Sequence, residues 1–334
     1  MSFDNIRLEK GMYSTGKSFT QNLELLDPSE NYIGTEYEGL DAYQRQLKRF
    51  DIKPSGPDSS VVGKFFQSSD ASVLFPEYVS RAVRYGLDDT AQIKDIVASI
   101  TEIDSATYRT MNLNTTTHDL TEFAEGGLIA EAKFTVDDSI IKLKRRGRYI
   151  NVSYDVLRFQ KLDVLSIMLK KIGAGLSYTL MNDAIEVLVS GNGENGKGAL
   201  NYKLVDKEFT YNALVELWAD FAPYQLTTII APSTVVSGIL KQPEFRVSGA
   251  GLEFSLNGKL ITPFGAQLVQ TMALTGYSAF AIDKNYALEM VKVGDIETNY
   301  GKLIDRQLEQ ISITTMTGFA QILNEAAMLV DPAD

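Results

Sequence analysis

The 334-residue chain has no cysteine and a single histidine, His118. The first absence excludes a disulfide frame and thiol catalysis, and leaves the redox compartment open. The second excludes any site that needs two imidazoles. Basic residues are outnumbered: 32 Lys plus Arg stand against 43 Asp plus Glu, a net charge of −11. That balance opposes broad phosphate binding, which needs a basic footprint, and suits a protein kept soluble at high copy number. The opening MSFDNIRLEK lacks the apolar core of a signal peptide, and charges interrupt the apolar runs. The expectation is a chain made in the cytosol, with no membrane partner. Hydrophobic content of 44% and charged content of 22% are ordinary for a folded protein, and the length allows two domains or one elaborate one.

The stretch around which the rest is organised is Asp163 to Ser190. Leu165, Met168, Leu169, Ile172, Leu176, Leu180, Ala184 and Leu188 recur at steps of three and four, which predicts one face of a long helix. Asp163 suits an N-cap and Gly191 a C′ position, and the helix would run roughly 40 Å. Lys170, Lys171, Asn182, Asp183 and Glu186 argue against a membrane span. Two glycines, Gly173 and Gly175, sit mid-helix, where each costs about 1 kcal/mol against alanine. They are either a packing contact, with a crossing strand close by, or a hinge.

Residues 1–72 are polar and loop-rich, with one helix candidate over 39–50, and read as an arm with too few apolar residues for a core. Residues 73–85 start the folded body with a short helix. Residues 106–117 and 133–156 read as two strands of a long β-ribbon around a tip at 119–132. After the glycine-rich loop 191–198 comes an α/β pattern: a helix over 211–221 carrying Trp218, a strand over 227–231, a helix over 233–241, and strands over 258–263 and 278–283. Two long strands over 288–299 and 308–318 form a hairpin, and 319–330 closes the chain as helix or strand.

Gly11 to Ser18 fits the phosphate-cradling pattern G-x-x-x-x-G-K-[ST]. That loop must leave a buried strand, and Arg7-Leu8-Glu9-Lys10 is not one. Gly191 to Gly198 is a near miss that follows a helix; a turn needing positive φ at several positions is the simpler reading. Lys142 to Arg148 holds five cations in seven residues, which on a strand point to both faces and suit a solvated or intersubunit surface. No arrangement supports nucleophilic, metal or acid–base catalysis. No catalytic, cofactor-binding or metal-binding residue is assigned, no cofactor is expected, and the chain is read as not an enzyme.

The order of parts resembles the major capsid proteins of tailed bacteriophages, the Hong Kong 97-like family. The stretches that carry the resemblance are Arg148 to Leu157 entering the long helix, Leu188 to Gly193 leaving it, Thr228 to Ser233, and Leu260 to Gly265. The resemblance implies an α+β Hong Kong 97-like capsid fold in seven parts. These are an N-terminal arm (1–72), the start of a peripheral domain (73–105), an extended β-ribbon or E-loop (106–148), and the spine helix with its glycine loop (149–198). An axial domain (199–283), a peripheral hairpin (284–318) and a return to the axial domain (319–334) follow. It implies self-assembly into pentamers and hexamers of an icosahedral shell around double-stranded DNA held without sequence-specific binding. It also implies scaffolding and portal partners, a decoration protein as a further possible partner, assembly in the cytoplasm of a bacterial host, and a final place in the virion capsid. Some members crosslink Lys to Asn between subunits; Lys133 lies near the ribbon tip, without a matching partner. The intersubunit contact is expected at the E-loop tip, through Leu120, Glu122, Phe123, Glu125, Leu128, Ile129, Glu131 and Lys133, with Gly173 and Gly175 as spine-hinge candidates. Two alternatives stand beside it. An encapsulin-type compartment shell shares the fold but lacks a long extended arm, and a nucleotide hydrolase would use Gly11 to Ser18.

Overall fold

The computed structural model describes residues 2–13, 18–90, 92–114, 122, 125–126, 133–136, 139–193, 196–204, 208–246, 260–303 and 308–332. In chain order the helices are α1 (Phe19–Leu26), α2 (Ala42–Arg49), α3 (Ser69–Val73), α4 (Phe75–Thr90), α5 (Tyr154–Phe159), α6 (Leu162–Ser190), α7 (Tyr211–Asp220), α8 (Ser233–Leu240) and α9 (Pro243–Arg246). The strands are β1 (Ser99–Glu102), β2 (Thr107–Tyr108), β3 (Met111–Asn114), β4 (Lys133–Val136), β5 (Ile141–Lys142), β6 (Lys144–Ser153) and β7 (Leu200–Leu204). They continue with β8 (Thr228–Ala231), β9 (Gln267–Gln270), β10 (Ala279–Ile282), β11 (Leu288–Leu303), β12 (Leu308–Gln321) and β13 (Ala327–Pro332). The chain forms two compact units. The first holds 1–90, 146–176 and 295–315; the second holds 91–145, 177–294 and 316–334.

In the first unit the N-terminal segment is no arm. Phe19, Leu23, Tyr43, Leu47, Ile52, Val62 and Phe65 are buried in one cluster with Val79 and Val83 of α4 and Leu162 and Leu169 of α6. The sparse apolar residues suffice because polar side chains are buried with their partners. Arg45 is fully buried. Its Nε donates to Asp27 Oδ2 at 2.7 Å, and its two terminal nitrogens donate to the backbone oxygens of Asp27 and Leu40, both at 2.6 Å. Its guanidinium also lies 4.2 Å from the centre of the Tyr32 ring, whose hydroxyl donates to the other oxygen of Asp27. Breaking such a buried pair typically costs about 3–5 kcal/mol. The helices start at capping boxes: Ser18 with Gln21 for α1 and Asp41 with Gln44 for α2. Arg81 of α4 then reaches Thr20 and Asp41, at 2.7 Å each, and Glu77 at 2.9 Å. Those bonds fasten the segment to the body.

The α6 helix begins at Leu162, one residue before the expected cap at Asp163, and ends where Gly191 turns to φ +75°. By length and composition it would cross a membrane, but Leu162, Leu169, Leu180, Ala184 and Leu188 are buried in protein and Lys170 and Lys171 interrupt it. In the first unit α4 crosses it at glycines. A Cβ on Gly173 would collide with the Val83 carbonyl oxygen, and one on Gly86 with the Lys170 carbonyl oxygen. The close neighbour of Gly173 is thus a helix, where the sequence suggested a strand. Gly175 has nothing within 4 Å of its would-be Cβ.

The second unit holds a five-stranded sheet in the order β7-β13-β10-β8-β9. The central strands β8 and β10 run antiparallel with Ile229 opposite Ala281, and every residue of both is buried. Leu214 and Leu217 of α7 and Val235, Val236 and Ile239 of α8 complete a core with them. The strand expected over 258–263 is absent from its described residues, which make only the bridge Ile261 to Gln267; the strand is β9 instead. Thr262 is drawn into a turn, its Oγ1 accepting from Ala266 N at 2.9 Å and its carbonyl from Gly265 N. A second sheet runs β1-β11-β12-β6. Its long strands carry the chain through both units, and β1 pairs in parallel with β11. The expected strand over 133–156 ends at Ser153, whose hydroxyl accepts from Val156 N and caps α5.

The glycine contacts yield a direct test. Gly86→Ala and Gly173→Ala should each destabilise the subunit by about 1–3 kcal/mol through forced backbone displacement. Gly175→Ala should stabilise it by about 0.5–1 kcal/mol. Urea unfolding of the three variants reads the difference, and equal effects at Gly173 and Gly175 would contradict the crossing.

Candidate functional site

The ribbon is built as expected among its described residues. Thr107 pairs antiparallel with Lys142, and Met111 with Val136. Of the expected contact residues, Glu122 and Glu125 are exposed, and Lys133 opens β4 opposite Asn114. Leu120, Phe123, Leu128, Ile129, Glu131 and the neighbouring His118 lie outside the described residues.

At the ribbon base, in the second unit, an open cavity of about 600 Å³ lies between the descending strand, the last turns of α6 and β12. Ile140, Val187 and Phe319 supply apolar wall. Across it the Lys144 ammonium bridges Asp183 Oδ1 at 3.1 Å and Glu186 Oε2 at 2.6 Å. Asp183 and Glu186 are three apart on a helix and so share a face. The hydrogen bond to Glu186, with the Asp183 carboxylate beside it, raises the Lys144 pKa above the ordinary lysine value. Sequence reasoning placed Lys144 in a basic run suited to a solvated or intersubunit surface; this bridge depends on a fold that brings residues about 40 apart together.

The floor of the cavity is the glycine loop. Gly191 and Gly193 have φ of +75° and +64°. A Cβ on Gly191 would stand 2.6 Å from the backbone of residues 196 and 197, and one on Gly198 would strike the Val189 carbonyl. The loop therefore doubles back on the helix end, as only glycine permits. Asn192 pins it to β12: its Nδ2 donates to the Gln321 carbonyl and its Oδ1 accepts from Gln321 N, both at 2.7 Å. Gly191 N donates to the Val187 carbonyl and Ala199 N to the Leu188 carbonyl, both at 2.7 Å, so these backbone groups close the turn.

The N-terminal motif fares no better as a nucleotide site. Residues 6–9 form no strand, Lys10–Tyr13 is a 3-10 turn, and Ser18 spends its hydroxyl capping an eight-residue helix. Ser14 to Lys17 lie outside the described residues. Tyr13 is half-buried, its hydroxyl donating to the Val73 carbonyl at 2.8 Å and accepting from Glu77 N of α4; desolvation pushes its pKa up. Tyr108 donates to Glu289 at 2.9 Å, and partial desolvation pushes its pKa up to about 12. Both phenols stay neutral and structural near pH 7. Among the described residues there is no group of three or more side chains that could hold a metal.

A family model described as "Phage capsid protein" matches residues 136–324, more than half of the chain. The fold is similar to that of a virus-like particle from Pyrococcus furiosus, at TM-score 0.52 and 13% identity over 76% of this chain and 98% of that one. It is also similar to the capsid protein of a native GTA particle, at TM-score 0.53 and 13% identity over 73% and 91%. No curated protein matches the sequence. Because residues 1–72 fold into the first unit, the argument from an extended arm against an encapsulin-type shell falls; the family match carries that distinction.

Lys144 gives this site a pH signature. A raised lysine pKa contributes stability at neutral pH and loses it as pH rises through the raised value. Lys144 is half exposed, so Lys144→Gln should cost less than about 1 kcal/mol at pH 7. The gap between the two proteins should close at alkaline pH and narrow in high salt. Melting curves across pH check this; a gap that persists above the lysine range would assign the loss to packing.

Proposed function

Because this chain belongs to the phage capsid protein family and has the α+β fold of capsid subunits, we propose that it acts as a shell subunit whose working parts are its contact surfaces. It is a major capsid protein, a structural component of the virion that associates with copies of itself. The finer reading is that pentamers and hexamers close an icosahedral shell of a tailed phage around double-stranded DNA, in the cytoplasm of a bacterial host. Scaffolding and portal proteins assist, a decoration protein is a further partner, and the subunit catalyses no reaction. The family match across residues 136–324 carries the reading. The net charge of −11 supports it, since an acidic lining does not grip DNA that must slide during packing. In this reading the ribbon is the E-loop, α6 is the spine, the five-stranded sheet is the core of the axial domain, and the long strands belong to the peripheral domain. Electron microscopy of the protein expressed with its scaffold tests it: closed shells are expected, and protein that stays monomeric at every salt and concentration would overturn it.

The ribbon is held by a neighbouring subunit. A two-stranded ribbon alone is marginally stable in water, and its exposed edges invite uncontrolled pairing. The tip sequence 119–132 has four acids and no Lys or Arg, with Leu120, Phe123, Leu128 and Ile129 among them. In the proposal these apolar groups cover a neighbour while Glu122, Glu125 and Glu131 face basic groups there. Replacing residues 119–132 by a short glycine linker should leave near-normal melting of the monomer and abolish stable shells. Ribbon amides should exchange fast in free subunits and slowly in shells; strong protection in the monomer would show that the ribbon packs on its own chain.

Flexing of the spine near Gly173 and Gly175 is the proposed adjustable element in shell maturation. Gly175→Ala probes it without a clash inside the subunit, since a Cβ added there meets nothing within 4 Å beyond its own helix backbone. The substituted shell should expand more slowly; normal expansion with unchanged helix curvature would remove the hinge role.

A further inference from the structure

The first unit exposes two apolar patches of opposite charge. One lies on α6. Val164, Ile167, Met168, Lys171 and Gly175 fall within one stripe of the helix at 100° per residue, and all five are exposed. A helix normally turns its polar face to water; here Ile167 and Met168 are each 58% exposed, and Phe159 just upstream is 67% exposed. Over residues 158–171 the sequence holds Arg158, Lys161, Lys170 and Lys171 and one acid, Asp163, a net charge of +3 (four minus one). Gly175 adds an independent sign. Gly173 needs its bare backbone for α4, but a Cβ on Gly175 would meet nothing within 4 Å beyond its own helix backbone. A glycine on an exposed stripe suits close approach from outside.

The second patch lies in the N-terminal segment. Leu25 (64% exposed), Leu26 and Ile33 (72%) flank the buried hydrogen bond from Tyr32 to Asp27. No Lys or Arg occurs between Lys17 and Arg45. Asp27 is taken up by Arg45, and Glu24 by Ser29 and Ala42 N. Glu30, Glu36 and Glu38 remain exposed, a local charge of −3.

We infer that these two patches bind each other between copies: Leu25, Leu26 and Ile33 of one subunit cover the Val164–Ile167–Met168 stripe of the next, with the glutamates facing its lysines. Two different surfaces meet, so the contact is head-to-tail and generates a ring when its rotation closes. The inference rests on the shell-subunit reading and names a contact within it. It also answers why large apolar side chains stand in water on a chain of net charge −11: contiguous exposed apolar surface marks an interaction site, and opposite local charges offset the repulsion between acidic copies.

Two full-length variants separate the patches. Ile167→Asp/Met168→Asp destroys the stripe, and Leu25→Asp/Ile33→Asp destroys its complement. All four side chains are exposed, so both variants should fold, as melting close to wild type would confirm. Each alone should sediment as a monomer under conditions where wild type forms capsomers. An equimolar mixture retains one good contact and should give a one-to-one dimer and nothing larger. A mixture that stays monomeric, or single variants that assemble as wild type does, would overturn the inference. Wild type that never associates would count against the shell reading instead. The contact itself can still be read by disulfide trapping, because the chain has no cysteine of its own. Ile167→Cys/Ile33→Cys subunits, oxidised at high protein concentration, should give a ladder of covalent oligomers on a non-reducing gel. A ladder confirms the head-to-tail contact; dimers only, or no crosslink, overturns it.

Discussion

A helix of 29 residues that is apolar on more than one side must be covered on more than one side, and the structure is arranged around that requirement. In the first unit α4 covers one flank so closely that two backbones touch at Gly86 and Gly173. In the second unit Leu180, Ala184 and Leu188 are buried, and the glycine loop folds back against the helix end under the grip of Asn192 on β12. What the described residues leave exposed is the stripe holding Val164, Ile167, Met168, Lys171 and Gly175. A monomeric enzyme would place charge there. A shell subunit can leave the surface apolar, because another copy is always available at high local concentration.

The N-terminal segment shows why apolar counting misjudged residues 1–72. A core was read as a sum of hydrophobic side chains, yet this part of the fold turns on a buried arginine with each of its partners in place. The Arg45–Asp27–Tyr32 arrangement and the Arg81 bonds to Thr20, Asp41 and Glu77 let a polar segment pack against the body with its charges paired. The signal was legible at short range. Ser18-x-x-Gln21 and Asp41-x-x-Gln44 are both capping-box patterns, and they mark two helix starts. The long-range part was not legible, since no local pattern tells a solvated arginine from a buried one.

Elsewhere, legibility tracked how local the forces are. The spine helix, the ribbon and strands β8, β10, β11 and β12 follow from periodicity and from glycine positions. Strands β1, β7 and β9 were missed; each is a short edge of its sheet, where one neighbour and weak alternation suffice. The stretch 258–263 had strand composition, but its described residues turn at Thr262 and Gly265, leaving β9 to pair with β8. The candidate site divides the same way. The glycine pair in the spine was visible in sequence, but only the crossing of α4 distinguishes Gly173, fixed from within its chain, from Gly175, open to the outside. The bridge from Lys144 to Asp183 and Glu186 was invisible, because a basic run reads as solvated until a helix with two carboxylates is laid beside it.

The charge distribution completes the physical case for a self-associating subunit. Copies of a chain at −11 repel, and uniform repulsion would keep them apart. The charge is not uniform. Residues 18–44 carry six acids and no base, while 142–148 and 158–171 hold nine bases between them and one acid. Segregation of this kind does little for a monomer, in which exposed ion pairs are worth little. Between copies it orients: one approach sets acid against base and the others set like against like. Net charge of one sign opposes unselective association, while segregated local charge favours those orientations that set acid against base.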